Sequence, residues 1–281
     1  MTNRAIFFLL IVGAGNTILN AESGFAESSN LIVDTRDYAS AATGTIMVDT
    51  REAPTLATLS PQSIMVTTTD LGGNVSLDGG AAITERGVVY ALASINADPV
   101  IGGSGVIKLT ASGTTGIFAV PVAGLTPGTG HVFKAYATNL KGTSYTAATA
   151  FTTLTLTQGW RQTHFGSPAN TGNAADGADP DGDGLKNLLE YALNLPPNAA
   201  SRVPAAVQAA AGGNLEYTYT RGTAAYNGGT TFQVEWSDDL TTWFTTGVVE
   251  SLISDDGTHQ QVKATLPAGS GDRRFVRLRV Q

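Results

Sequence analysis

The chain of 281 residues is long enough for two small domains, and a hydrophobic content of 42 % is enough to build their cores. Only 14 % of the residues are charged and the formal net charge is −7, so the chain lacks the basic surface that a nucleic-acid partner requires. The absence of cysteine excludes disulfides, thiolate metal sites and cysteine nucleophiles. The 33 glycines and the runs of Thr and Val favour a β protein with many tight turns.

Residues 1–26 have the pattern of an export signal. Arg4 precedes an apolar run at 5–14, and a small-residue cleavage site follows, either after Ala21 or after Ala26. Ten apolar residues are too few to span a bilayer, so we expect a mature chain without a transmembrane segment, secreted or held at the cell surface. The alternative interpretation of the apolar run is a buried N-terminal strand.

A short repeat occupies residues 27–53. The sequence Ile-Val-Asp-Thr-Arg-Asp at 32–37 returns as Met-Val-Asp-Thr-Arg-Glu at 47–52. Each copy predicts a brief strand, and the pair predicts a hairpin or an edge strand in a linker.

From 54 to 153 the chain predicts about seven short strands with turns between them, one turn being Asp78-Gly79-Gly80. The strands predicted most clearly are at 62–69, 84–90, 116–122, 132–138 and 144–152. About a hundred residues of this pattern indicate an antiparallel two-sheet sandwich.

Several spaced features in this region agree with a known module. Leu125-Thr-Pro-Gly-Thr129 is followed by Ala-Tyr-Ala-Thr-Asn at 135–139, by Gly142 and by Phe151. In this order they resemble the second half of a fibronectin type III-like module, with His131 where that family has a corner tyrosine. The resemblance implies a spacer or a binding platform.

The strongest chemical signal lies within residues 154–200. The motif D-x-D-x-D-G-x5-E, which starts at Asp179, matches at every specified position. It places three carboxylates around one point, permits a sharp turn at Gly184, and adds a main-chain carbonyl, an amide and a closing carboxylate. Oxygen ligands in this number favour Ca²⁺ as the bound ion. The predicted metal ligands are Asp179, Asp181, Asp183, Leu185, Asn187 and Glu190.

The flanks of the motif define the kind of calcium site. A short helix is predicted from Asn187, stopped by Pro196-Pro197, and residues 160–165 are the other helical candidate. Lys186 holds the eighth loop position, where paired EF-hands carry an apolar residue. The loop therefore resembles a solitary EF-hand-like or thrombospondin type 3-like calcium turn, and we expect it to act as a structural staple between two β regions. The alternative is a solvated acidic turn without an ion.

Residues 201–281 predict a second antiparallel β domain with strands at 214–220, 230–236, 243–249, 260–266 and 274–280. The predicted fold class is therefore all-β, with two antiparallel β-sandwich-like domains joined by a calcium-binding loop and one short helix. The segment 233–240 with Trp243 and the segment 274–280 follow Trp160, Phe165-Gly166 and the stretch 179–191. In this arrangement, residues 160–281 are similar to the C-terminal β tail of large secreted bacterial surface proteins.

No catalytic constellation occurs in the sequence, and we do not expect an enzyme. Glu235, Asp238 and Asp239 are predicted to be solvated carboxylates. The sequence favours a secreted calcium-binding modular protein with a structural, cell-surface or adhesion role, whose further partner is an extracellular polysaccharide or a surface protein. The alternative is a carbohydrate-binding accessory protein that uses Trp236 and Trp243, which requires two exposed aromatic rings on one sheet face.

Overall fold

The structure, a computed structural model, describes residues 50–269 and 273–281, together with the backbone of Ile18–Leu19 and Met47–Val48. The chain forms two compact units. The first contains the residues up to Gln62, then Asp70–Pro121 and His131–Ala150, and the second contains Ser63–Thr69, Val122–Gly130 and Phe151–Gln281.

The N-terminal half of the chain is built from strands. Their bounds are β1 (Ile18–Leu19), β2 (Met47–Val48), β3 (Thr55–Thr58), β4 (Thr68–Leu77), β5 (Glu85–Leu92), β6 (Ile107–Ala111), β7 (Gly116–Ala123), β8 (Gly130–Asn139), β9 (Gly142–Tyr145) and β10 (Thr149–Thr152). Strand β1 pairs with β2 in parallel. The first copy of the predicted repeat lies outside the described residues, as does the predicted signal apart from the backbone of β1.

The C-terminal half carries the helices and a second set of strands. Their bounds are α1 (Leu156–Phe165), α2 (Asn187–Leu193), β11 (Ala205–Ala209), β12 (Leu215–Gly222), α3 (Thr223–Asn227), β13 (Phe232–Ser237), β14 (Val249–Asp255), β15 (His259–Leu266) and β16 (Phe275–Val280). Single 3₁₀ turns lie at Gly172–Ala174 and Ala211–Gly213. Among the described residues, none of the helices combines the length and the apolar character needed to cross a membrane.

Two antiparallel sheets form the sandwich. One has the strand order β3-β4-β7, and the other has the order β10-β8-β5-β6, with β9 also paired to β8. Along β7, Phe118, Val120 and Val122 are buried and alternate with exposed residues, which is the period-two pattern of a strand with one face on a core. Strand β8 is buried over most of its length. The prediction of an all-β fold made of antiparallel sheets is confirmed.

The predicted strand at 62–69 is wrong. Strand β4 begins at Thr68 and continues to Leu77 through Gly72 and Gly73. Glycines weaken a strand in isolation, but here the packing requires them. A Cβ at Gly72 would overlap the carbonyl of Phe118 on β7, and one at Gly73 would overlap the side chain of Ala135 on β8. The predicted single strand at 144–152 is likewise two strands, β9 and β10.

An ion pair with a tyrosine partner lies on the five-stranded sheet. Glu85 on β5 accepts hydrogen bonds from Lys108 Nζ at 3.0 Å and from the Tyr136 hydroxyl at 2.9 Å. The bond from Lys108, followed by the bond from Tyr136, lowers the pKa of Glu85. Both Glu85 and Lys108 are more than a third exposed, so solvent screens the pair.

Helix α1 begins at a capping box. The Thr155 hydroxyl accepts from Gln158 N at 3.2 Å, and the Gln158 side chain accepts from Thr155 N at 2.9 Å, which satisfies two N–H groups that the helix itself leaves free. Within the second unit, the residue before this cap is fixed to the sandwich loops. Leu154 N donates to Met65 O at 3.1 Å, and Gly128 N donates to Leu154 O at 3.0 Å.

The C-terminal strands form a sheet in the order β11-β12-β15-β14 and a separate pair, β13-β16. Their inward residues make one core, consisting of Tyr217, Tyr219, Val234, Val262, Ala264 and Leu266. The predicted strand at 243–249 is wrong, because Phe244 makes only an isolated bridge to Trp236 and β14 begins at Val249. Strand β11 was not predicted, since all five of its residues are exposed and its sequence does not alternate.

The carboxylates at the end of β13 are bound to partners. Glu235 is 6 % exposed and lies 2.6 Å from Arg277 Nη2, so the prediction of a solvated carboxylate is wrong there. The Asp238 carboxylate accepts two hydrogen bonds from Arg274, from Nε at 3.0 Å and from Nη2 at 3.1 Å. Asp239 accepts from the backbone of the turn that follows it, which lowers its pKa. Glu235 and Asp238 therefore pair with arginines, whereas Asp239 is exposed, as predicted, and holds the turn that follows β13.

Candidate metal centre

The predicted calcium loop folds through its own side chains. Asp179 accepts hydrogen bonds from Gly182 N at 2.9 Å and from Gly184 N at 3.0 Å, one on each carboxylate oxygen. Asp183 Oδ1 accepts from Leu185 N at 2.7 Å. Gly182 and Gly184 have φ of 75° and 92°, values that residues with a Cβ rarely adopt. Aspartate turns and these two glycines therefore curl the chain around one point.

Three carboxylates meet at that point. One ligand atom each from Asp179, Asp181 and Asp183 lies within 4.8 Å of the others. Asp181 Oδ1 accepts from Asp183 N at 3.1 Å, whereas Asp181 Oδ2 is buried and has no hydrogen-bond partner. Three negative charges at this separation repel one another unless a cation or a proton neutralises them.

The closing glutamate is the most unusual group of the site. Glu190 on α2 is 0 % exposed, and neither of its carboxylate oxygens has a hydrogen-bond partner. Burial first, and then the charges of Asp181, Asp183 and Asp179, raise the pKa of Glu190 to about 7. This carboxylate is therefore held next to the three aspartates with no protein group to stabilise its charge.

The remaining two predicted ligands lie between the aspartates and Glu190. Leu185 is half-buried, and its N–H is bound to Asp183. Asn187 is 0 % exposed, and its Nδ2 donates to the carbonyls of Asn173 and Ala175, each at 2.7 Å. Its Oδ1 is buried without a partner. The amide thus fixes the preceding segment with its nitrogen and leaves its oxygen free of protein donors.

The donor set fits a hard cation. In the described part of the chain, five buried side-chain polar atoms have no hydrogen-bond partner, and four of them are oxygens of this loop. These four are Asp181 Oδ2, Asn187 Oδ1, Glu190 Oε1 and Glu190 Oε2. Buried polar atoms are normally paired, and oxygen ligands without nitrogen or sulfur are those that Ca²⁺ selects.

The structure also identifies supporting residues that the sequence did not reveal. Asp183 Oδ2 accepts from Ser201 N at 2.6 Å, which ties the loop to the start of the C-terminal strands. Arg161 on α1 lies 2.5 Å from Asp176, three residues before the motif. The sequence signal that could have indicated this pair is Asp176 itself, a single aspartate in a stretch rich in Gly, Ala and Asn.

The tryptophans are already packed against other side chains. All three are half-buried. Trp160 contacts Tyr191 edge-to-face at 5.8 Å, Trp236 lies under Arg274 at 3.9 Å, and Trp243 lies under Arg277 at 4.0 Å. The two exposed rings that a sugar platform requires are not present among them.

Comparison with known proteins gives only weak likenesses. No family model matches the chain, and no curated protein matches it. Among solved structures, the sensor domain of the anti-sigma factor RsgI4 from Pseudobacteroides cellulosolvens has 18 % identity and a TM-score of 0.28, over 37 % of this chain and 76 % of that one. The fibronectin type-III domain of human fibronectin type III domain containing protein 3 has 18 % identity and a TM-score of 0.26, over 41 % and 94 %. Similarity of this degree identifies neither a family nor a ligand.

Proposed function

We propose that this protein binds one calcium ion through the loop at 179–190 and that the ion has a structural role. The observation that carries the proposal is Glu190, a fully buried carboxylate with two unpartnered oxygens beside three aspartates. A carboxylate in this environment is costly unless it is protonated or bound to a cation. The spacing of the motif and the oxygen-only donor set support calcium as the cation.

Each predicted ligand would contribute particular oxygen atoms to the calcium ion. Asp179, Asp181 and Asp183 would supply carboxylate oxygens from the curled loop, and Glu190 would supply its two oxygens from α2. The Asn187 oxygen and the Leu185 carbonyl complete the predicted set. When bound, calcium supplies the positive charge that offsets the four carboxylates. The loop and α2 are then held together, and the bond from Ser201 N to Asp183 extends this support to the following strands.

Titration calorimetry of the signal-free protein with calcium tests the proposal. We expect about one site with a dissociation constant as weak as ~10⁻⁴–10⁻³ M, the range of extracellular modules. Asp181→Asn removes a ligand whose Oδ2 has no protein partner and should weaken binding at least ~10-fold, whereas Glu52→Gln removes an exposed carboxylate of the first unit and should leave binding unchanged. Absence of binding heat at millimolar calcium would refute the site, and equal binding of magnesium would refute the selectivity.

We further propose that the protein acts outside the cell, in cell-surface structure or adhesion, with the sandwich as a spacer or platform. The signal-like segment at 1–26 and the resemblance of 160–281 to surface-protein tails support this location. Expression of the full-length sequence followed by mass spectrometry of the N-terminus tests it. A new N-terminus after Ala21 or Ala26 is the expected result, and an unprocessed cytoplasmic chain would contradict the proposal.

A further inference from the structure

Arg161 on α1 is a buried cation with one carboxylate partner. It is 6 % exposed, its Nη2 lies 2.5 Å from Asp176 Oδ1, and its Nε is buried without a hydrogen-bond partner. Asp176 is bound on its other side to Asn170, which donates to Oδ2 at 2.9 Å and accepts from the Asp176 N–H at 2.8 Å. Burying a charge costs free energy that only its partners can offset, so Arg161 depends on Asp176 for its stability in this position.

The segment that Arg161 holds is the one that caps α2. Lys186 precedes the helix and provides no side-chain cap. The first two helical N–H groups donate instead to carbonyls of the preceding segment, Leu188 N to Asp176 O at 3.1 Å and Asn187 N to Ala178 O at 2.9 Å. These two N–H groups have no partner within the helix, so the two carbonyls determine where α2 begins.

We propose that Arg161 and Asp176 are a positioning pair for the calcium site. The pair fixes the segment at 173–178, that segment fixes the first turn of α2, and α2 carries Glu190. Arg161 does not belong to the ligand set and acts only through Asp176. This inference rests on the proposed calcium function and deepens it. It means that α1 supports the calcium loop from the N-terminal side, although the chain between α1 and the loop is long and irregular.

Thermodynamic linkage gives the pair a measurable signature. If the ion pair and the ion stabilise the same arrangement of Glu190, each strengthens the other by the same factor. Loss of the pair then weakens calcium binding and destabilises the calcium-loaded protein more than the chelated protein. If the pair only stabilises the fold, its loss should destabilise the calcium-loaded and the chelated protein equally and leave the calcium affinity unchanged.

Calorimetry with calcium and melting with calcium or chelator, on Arg161→Met, Arg161→Lys and Asp176→Asn, test the inference. We expect Arg161→Met and Asp176→Asn to weaken calcium binding about 10-fold, and Arg161→Lys to recover part of the loss. Arg274→Met is the matched control, since Arg274 is also buried and paired with an aspartate in the second unit but does not contact the loop. The Arg274→Met variant should be less stable than the wild-type protein but should bind calcium with the same affinity.

Two results would overturn the inference. Wild-type calcium affinity in both Arg161→Met and Asp176→Asn would show a purely structural pair. If Arg161→Met does not fold, Asp176→Asn alone decides, since the Asp176 side chain is 38 % exposed and asparagine keeps an oxygen that can accept from Arg161. No binding heat with the wild-type protein would instead refute the calcium function itself. The two failures are therefore distinguishable.

Discussion

Glu190→Gln should change the stability of the second unit in opposite directions with and without calcium. In the chelated protein the wild-type carboxylate is buried, unpartnered and repelled by three aspartates. An unsatisfied buried polar group costs about 1–3 kcal/mol, and more when it is charged, so removal of the charge should stabilise the chelated protein by about 1–2 kcal/mol. Glutamine keeps the shape of the side chain, which limits packing effects.

In calcium the sign reverses. A ligand that binds only the native state stabilises it by RT ln(1 + [L]/Kd), which is about 2.7 kcal/mol at a hundredfold excess over Kd. Glu190→Gln removes the ligand expected to supply two oxygens and should lose most of that gain. The mutant should therefore be the more stable protein in chelator and the less stable protein in about 10 mM calcium, if Kd is about 10⁻⁴ M.

Tryptophan fluorescence is a suitable probe for these melts. Trp160, Trp236 and Trp243 all lie in the second unit, so the signal follows that unit alone. A change of about 1 kcal/mol shifts the midpoint by roughly 2–4 °C in a unit of this size. Glu52→Gln provides the control for the change in net charge. If Glu190→Gln lowers the midpoint by the same amount in calcium and in chelator, Glu190 is a packing residue and the reasoning fails.

The other predictions concern the sandwich and the C-terminal core. Gly73→Ala should cost about 1–3 kcal/mol by overpacking the facing sheets, whereas Gly177→Ala, which has open space around it, should stay within about 0.5 kcal/mol; urea unfolding followed by circular dichroism compares them. Because the pKa of Glu85 is lowered, its pairing stabilises the fold above the unfolded pKa and is lost as the pH falls through the folded pKa. In the wild-type protein this loss should lower the stability by about 0.2–1 kcal/mol between about pH 7 and pH 3, the range for an exposed pair. Urea midpoints measured over this pH range should show that Glu85→Gln lacks this part of the decrease. Arg274→Met removes a buried cation that pairs with Asp238 and lies over the ring of Trp236, and should cost about 3 kcal/mol, measured by fluorescence and equal in calcium and in chelator. An unchanged urea midpoint in Gly73→Ala or in Arg274→Met contradicts the contact assigned to that residue.

Features that depend on neighbouring residues could be predicted from the sequence. The aspartates of the loop lie within five residues of one another, and their side chains bond to N–H groups two to five residues further on, so spacing alone was enough to predict that they converge. The beginning of α2 at Asn187 and the strands with alternating burial, such as β7, were predictable for the same reason. Each of these follows from local backbone geometry and side-chain periodicity.

Features that join distant segments became visible only in the folded chain. Gly72 and Gly73 lie within β4, where the neighbouring strand and the facing sheet leave no room for a Cβ. Arg161 and Asp176 meet across an irregular stretch whose path no short-range pattern encodes. The position of Glu190 in the motif predicts that it is a ligand. Its complete burial without a partner, the observation that supports the proposed cation, depends on how α2 packs within the second unit.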